Sequence, residues 1–421
     1  MFPILLKGGA VLALSLVAAQ AAAEPQRIPA TLPGVLQWTL QHHPELRRMD
    51  AVRQAQSGYA DTAEFGPPLT LQTEVENVAG NGEFAGADRL ETTISLAGVL
   101  EWGGKPMLRR TEALSRAEVE RVELDQQRRD LLADAATRFV ELARAEADAR
   151  LLRDAVVVAE QTAEASDQRQ RAGAASAADA QRASLALAAA RLRASQAQTR
   201  RRGAAQALAI VVGTPNRGVT TTRMDWTRLP APPARSRLLE SARHAPLVRL
   251  ATADRDLALA RVRLAASQAR GDLQWSVGVR DDRGSGDQAL VLGLGLPLGS
   301  ARRSAPAQAS AQAQAEATHW AQQTARLSAQ ALVTTAWAEL DALHQAFEQI
   351  RDALEPQSEA VLRATAEGYR QGRYSLLELT TAQQERLAWQ QRRIAVATEY
   401  HQTRIELERL LGRSLDQEIA G

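Results

Sequence analysis

The chain is written twice, and that duplication limits its possible folds more than any other feature. Pro44-Glu45-Leu46 answers to Pro246-Leu247-Val248 at an offset of 202 residues, and Leu71 and Val75 meet Leu273 and Val277 at the same offset. Further on, Arg171-Ala-Gly173-Ala-Ala-Ser176 answers to Arg370-Gln-Gly372-Arg-Tyr-Ser375 at an offset of 199, which also sets Asp179 opposite Glu378. Both halves close alike, with Leu208-Ala-Ile-Val-Val-Gly213 and Leu407-Glu-Arg-Leu-Leu-Gly412. Ordered landmarks at nearly constant spacing define a tandem structural repeat, and the period is too long for a solenoid. The expected units are 24–213 and 237–412, with a Pro-rich linker at 214–236 and a tail at 413–421.

Each half reads helix, strand, strand, long helix, helix. A first helix over 44–64 is stopped by Gly66-Pro67-Pro68, because proline cannot continue a helix and restricts the residue before it. Strands are expected at 69–78 and 89–100, joined by a Gly-rich turn around Gly80-Asn81-Gly82. The second half repeats this at 272–282 and 287–298, where Leu290, Leu292, Leu294, Leu296 and Leu298 alternate with smaller residues. Five leucines at period two predict a strand with one strongly apolar face. From 104 to 171 the only helix breakers are Gly104 and Pro106, so a helix ~100 Å long is expected there. A helix of similar length is expected over 303–371, with a kink at Pro356, and shorter ones over 176–212 and 375–411. Trp337, Leu340, Leu343, Phe347, Ile350 and Leu354 form one narrow apolar stripe.

Residues 1–23 read as a secretory signal peptide: Lys7, an apolar run from Gly8 to Ala19, then Ala21-Ala22-Ala23 before Glu24. The run is too short to span a bilayer. With no cysteine in the chain, a disulfide framework, a thiolate metal site and lipid attachment through an N-terminal cysteine are all excluded. The formal charge of +2 is scattered rather than gathered on one face, which argues against nucleic acid as a partner. None of His42, His43, His244, His319, His344 and His401 forms a ligand pair at helical i, i+4 spacing. Gly293-Leu-Gly295-Leu-Pro-Leu-Gly299 lies inside the leucine-alternating strand and lacks the context of a dinucleotide loop. No nucleophile–base constellation is present, so neither an enzyme nor a cofactor is expected.

Strands of about ten residues match a tilted membrane crossing. Four strands cannot close a barrel, and open edges cannot face lipid. Two, three or four copies would give eight, twelve or sixteen strands, all allowed numbers. The helices are too polar for lipid and too long for a compact domain, so a helical bundle or tube beside the membrane is expected, with the turns at 171–176 and 370–375 at its far tip.

These residues resemble the TolC family of outer-membrane efflux proteins over essentially the whole mature chain. The tip segments Gly173 to Ala183 and Gly368 to Glu378 resemble the family's periplasmic turn motifs, and Leu410-Leu411-Gly412 its helix-closing signature. The resemblance implies an α+β membrane fold, in which the duplicated helix–strand–strand–helix repeat gives four strands per chain to a trimeric 12-stranded outer-membrane β-barrel above a long periplasmic α-helical barrel. It implies outer-membrane lipid, a periplasmic adaptor and an inner-membrane RND-type pump as partners. Glu74-Val75-Glu76-Asn77, Gly80 to Phe84, Glu91 to Leu96 and Glu101-Trp-Gly-Gly-Lys105 resemble the first hairpin of the heavy-metal branch, which serves cobalt–zinc–cadmium and copper–silver efflux; Pro106 stands where that branch often has arginine. By the same resemblance Glu378 and Asp179 are lumenal gate candidates, although Thr381 replaces the family's second acidic position. Gly173, Ser176, Gly372, Arg373, Tyr374 and Ser375 are candidates for the tip and for adaptor docking. Acidic residues near the hairpins (Glu74, Glu76, Glu83, Asp88, Glu91, Asp281, Asp282, Asp287) either line the barrel or its mouth and favour cations or are ordinary polar lining and loop residues, the second being the plainer expectation. The expected function is a passive exit duct for heavy-metal cations in a tripartite system. The alternatives are the same channel serving drug efflux or type I secretion, and a periplasmic coiled-coil scaffold without a pore.

Overall fold

The computed structural model describes residues 27–222 and 224–412; residues 1–23, expected to be a signal peptide, and the expected tail at 413–421 lie outside the described residues. Two short helices, α1 (Leu32–His42) and α2 (Pro44–Thr62), lead into strands β1 (Thr70–Glu76) and β2 (Glu91–Leu100). Helix α3 (Lys105–Arg171) then runs 67 residues, ~100 Å at 1.5 Å per residue, and α4 (Ala177–Val211) returns beside it. The second half repeats the order: α5 (Arg235–Ala242), α6 (Pro246–Ser267), β3 (Leu273–Asp282), β4 (Asp287–Gly295), α7 (Ser300–Gln349), α8 (Glu355–Arg370) and α9 (Leu376–Leu411).

Helix ends fall where local chemistry puts them. Thr31 caps α1, and His43 caps α2 by accepting from the Glu45 N–H at 3.1 Å, so the His42-His43 pair belongs to a helix junction. Gly104 and Gly299 adopt the left-handed conformation at the starts of α3 and α7, with φ of 71° and 76°. The kink expected at Pro356 is displaced: a π-helical turn occupies Ile350–Leu354, and α8 resumes with Pro356 as its second residue. The extra backbone of the π turn accommodates a residue that has no N–H and crowds the carbonyl four residues earlier. Pro306 is carried inside α7. Helices α1 and α5 are absent from the reading of the sequence, although Leu32, Val35, Leu36 and Thr39 of α1 keep a helical period; α5 has only eight residues.

The four strands form one antiparallel sheet in the order β1-β2-β3-β4. Both outer strands, β1 and β4, have an edge that is unpaired among the described residues. β4 ends at Gly295 although the leucine alternation runs on through Leu296 and Leu298, because Pro297 has no N–H to give to a ladder.

The core sits at mid-height on the helices rather than in the sheet. Val35, Leu36, Phe139, Leu142, Leu208 and Val212 form one cluster between α1, α3 and α4. Phe347, Ile394 and Trp226 form a second, and Leu238, Leu340, Tyr400 and Leu407 a third. The 214–236 segment is a strap pinned across this core, not a loose linker. Buried Glu146 on α3 accepts from the Thr222 N–H at 2.8 Å and its hydroxyl at 2.6 Å. The Tyr400 hydroxyl donates to the Pro230 carbonyl at 2.5 Å, and Trp337 Nε1 to the Pro233 carbonyl at 3.0 Å. Among the described residues no helix is long and apolar enough to cross a membrane.

Candidate functional site

Strand register sorts the sheet into two unlike faces. One carries the rows Leu71–Leu96–Val277–Leu292 and Thr73–Ile94–Val279–Leu290, then Gly98–Trp275–Leu294. Its leucines stand out of the molecule: Leu71 is 71%, Leu292 71% and Leu294 79% exposed. An apolar surface this continuous is not left to water. The opposite face carries Thr70–Ala97–Ser276–Gly293 and Gln72–Ser95–Gly278–Val291, then Glu74–Thr93–Arg280–Ala289. Its last row sets four carboxylates side by side, Glu76–Glu91–Asp282–Asp287, one from each strand. Like charges placed directly opposite repel. Arg280 relieves part of this by reaching Glu91 at 3.1 Å and Glu76 at 3.4 Å, while donating to Thr93 Oγ1 at 3.1 Å. The Asp282 carboxylate accepts from the Gly284 N–H at 2.8 Å and from the Ser285 hydroxyl at 3.1 Å.

The foot of the sheet explains the Glu101-Trp-Gly-Gly-Lys105 segment. Lys105 is buried, and its Nζ donates to Asp272 at 2.7 Å and to the Arg270 carbonyl at 2.8 Å. It thereby ties the β2–α3 junction to the α6–β3 junction. Arg109 grips Glu101 with two bonds of 2.5 and 2.7 Å and donates to the Ala63 and Phe65 carbonyls.

At the other end of the helices the two repeats make the same turn. Gly173 and Gly372 have φ of 73° and 75°. The Ala174 N–H returns to the Arg169 carbonyl at 2.7 Å and the Arg373 N–H to the Gly368 carbonyl at 2.8 Å, the closing bonds of Schellman turns. Ser176 and Ser375 then cap α4 and α9. Ser176 Oγ accepts from the Asp179 N–H and donates to its carboxylate at 2.7 Å. Glu378 completes a full capping box: its carboxylate accepts from the Ser375 N–H at 2.7 Å and hydroxyl at 2.8 Å. These bonds, the backbone one first, hold the Glu378 carboxyl below its ordinary value, so it is charged at neutral pH. The two gate candidates therefore each do local work as well.

Arg373, Tyr374 and Ser375 are exposed at this tip. The Tyr374 ring lies against Gly368, where a Cβ would come within 2.0 Å of it. Missed in the sequence is the contact between the two hairpins. Arg169 Nη1 donates to the Tyr369 carbonyl at 2.5 Å with its guanidinium 4.7 Å above the Tyr369 ring, and Gln383 donates to Thr162 Oγ1 at 3.0 Å. These pairs are about 200 residues apart, and no periodicity couples them. Among the described residues no group of His, Asp or Glu has the geometry to hold a metal ion.

A sheet with one lipid-like face and two open edges, set on helices ~100 Å long, defines the class of outer-membrane ducts. The family model for outer membrane efflux proteins matches residues 35–214 and again 238–413, and the chain belongs to that family. It is 25% identical over 314 residues, 75% of each chain, to the cobalt-zinc-cadmium resistance protein CzcC of Cupriavidus metallidurans. A membrane protein from Pseudomonas aeruginosa superposes with a TM-score of 0.75 at 20% identity, covering 93% of this chain and 92% of that one. The outer membrane protein VceC of Vibrio cholerae gives 0.73 at 20% identity, covering 91% and 96%. The fold is that of these membrane proteins, and membership in the outer membrane efflux protein family displaces the scaffold alternative.

Proposed function

We propose that three copies close a twelve-stranded barrel in the outer membrane and continue it as a helical tube in the periplasm. The observation that carries this is the sheet with an exposed apolar face and two unpaired edges, which lipid tolerates only in a closed barrel. The duct is passive. An inner-membrane pump of the RND type supplies the energy, and a periplasmic adaptor docks at the tip formed by Gly173, Ser176, Gly372, Arg373, Tyr374 and Ser375. Export through the 1–23 segment and the absence of a lipid-bearing cysteine belong to the same reading.

The cargo is heavy-metal cations. Supporting this are the relation to a cobalt-zinc-cadmium resistance protein and the row of four carboxylates on the polar face, which the barrel would repeat three times as a cation-favouring ring. A strain lacking the gene should become severalfold more sensitive to zinc, cobalt or cadmium, with restoration by the wild-type gene and no change toward hydrophobic drugs. Sensitivity confined to drugs would leave the duct standing and overturn the cargo.

Glu378 forms the narrow ring at the closed tip, with Asp179 on the half-buried flank of the other hairpin. Because Glu378 also caps α9, Glu378→Gln is the proper variant, since glutamine keeps a capping box while removing the charge. Single-channel recordings should show weaker block by multivalent cations at unchanged folding. Unaltered block would place the gate elsewhere.

A further inference from the structure

The apolar face of the sheet does not stop where the strands stop. Leu296 and Leu298 continue the β4 alternation and are 58% and 81% exposed. Trp102 keeps the parity of Leu96 and Leu100 two residues beyond β2, and is half exposed. Between them lies a groove of about 490 Å³ lined by Trp102, Arg270, Gly271, Leu296, Pro297 and Leu298.

Arg270 brings a positive charge into the lining of this groove, and two arginines of α7 stand next to it in the chain's following turn. Arg270 is exposed and lies along Gly103. Arg303 reaches back, its Nη2 3.4 Å from the Leu298 carbonyl, with exposed Arg302 beside it. None of the three has a carboxylate partner among the described residues. The nearby acids are committed: Asp272 accepts from Lys105 and the Trp102 N–H, and Glu101 from Arg109. The first turn of α7 contains no acidic residue.

An exposed apolar wall ending at unpaired guanidinium groups is complementary to an amphiphile with an anionic head. Arginine presents a planar fork that fits phosphate oxygens, and tryptophan favours the headgroup level of a bilayer. The groove also continues the face that meets lipid, whereas another copy of the chain would pair at the sheet edges. We propose that it seats an anionic phospholipid of the inner leaflet of the outer membrane. The phosphate lies between Arg270 and Arg303, and an acyl chain runs along Trp102, Leu296 and Leu298. This rests on the reading of the sheet as a membrane wall.

The test is native mass spectrometry of the purified full chain in detergent, incubated with equal amounts of phosphatidylglycerol and phosphatidylethanolamine of identical acyl chains. Wild type should retain phosphatidylglycerol about tenfold better: both lipids offer the phosphate, but the ethanolamine ammonium sets a positive charge against the arginines, and roughly 1.4 kcal/mol of repulsion gives that factor. Arg270→Gln with Arg303→Gln should bring the ratio near one, Trp102→Ala should lower retention of both lipids, and Arg182→Gln, at the distant tip, should change nothing. Equal retention by wild type, or a preference surviving in the double variant, overturns the proposal. Assembly into heat-modifiable oligomers is scored on the same samples. Oligomers without lipid preference sink this inference alone, while a wild-type chain soluble without detergent sinks the membrane reading as well.

Discussion

Leu292→Arg should remove most of the assembled protein from the outer membrane. Leu292 stands in the middle of the apolar face, between Leu290 and Leu294 along β4 and in one row with Leu71, Leu96 and Val277. An arginine at the midplane of a lipid-facing strand costs about 2–4 kcal/mol. A closed trimer carries that cost three times, once per copy. Gln72→Arg is the matching control. Gln72 occupies the polar face one row from the Thr93–Arg280 row, where a guanidinium meets water and neighbouring Glu74. Heat-modifiable oligomer in outer-membrane fractions should fall at least tenfold for Leu292→Arg, since roughly 1.4 kcal/mol already gives that factor, and stay near wild type for Gln72→Arg. Equal loss in both would mean that the sheet faces are not lipid and lumen. Equal survival would mean that the sheet does not enter lipid.

That experiment bears on the part of the molecule most legible in the sequence. Period-two leucines and period-200 landmarks are local or repetitive signals, and the strands, long helices and glycine turns follow from them. Strand ends were less legible. Leu296 and Leu298 keep the alternation, yet Pro297 ends the ladder, because side-chain pattern and backbone donors are separate requirements. The strap over 214–236 showed only its prolines. What fixes it are Glu146, Tyr400 and Trp337, which meet the backbone of Thr222, Pro230 and Pro233 across gaps of 76, 170 and 104 residues. Such contacts leave no periodic trace. Glu378 shows a different limit. Its place three residues after Ser375 is a cap signature, and its place beyond the tip glycine suits a pore ring. One carboxylate serves both readings, so only a substitution that separates charge from capping can tell them apart.

The strap also predicts an acid response. His401 on α9 lies edge-on to Trp226 of the strap, with ring centroids 6.4 Å apart, and against Tyr400. Its Nε2 is sealed from solvent with no hydrogen-bond partner among the described residues. Burial first, and then the Arg404 guanidinium, push the imidazole down from 6.5 to about 4. The unfolded chain therefore takes up this proton first as pH falls. The stabilisation tied to neutral His401 is complete above about pH 6.5 and is lost progressively toward pH 4, below which this residue adds no further slope. A depression of this size corresponds to roughly 3 kcal/mol per chain. Urea midpoints of the helical circular dichroism signal, taken at pH 7 and pH 4.5, should separate widely for wild type and much less for His401→Gln, which cannot charge. Carboxylates titrate in the same window, so the difference between the two proteins is the quantity to read. The strap should release first, because the charged imidazole forms against Trp226; in a variant that keeps Trp226 and replaces the other six tryptophans, fluorescence should change before helicity does. If wild type and His401→Gln lose stability in parallel, proton uptake at His401 is not what loosens the strap, and the acid response belongs to the carboxylates alone.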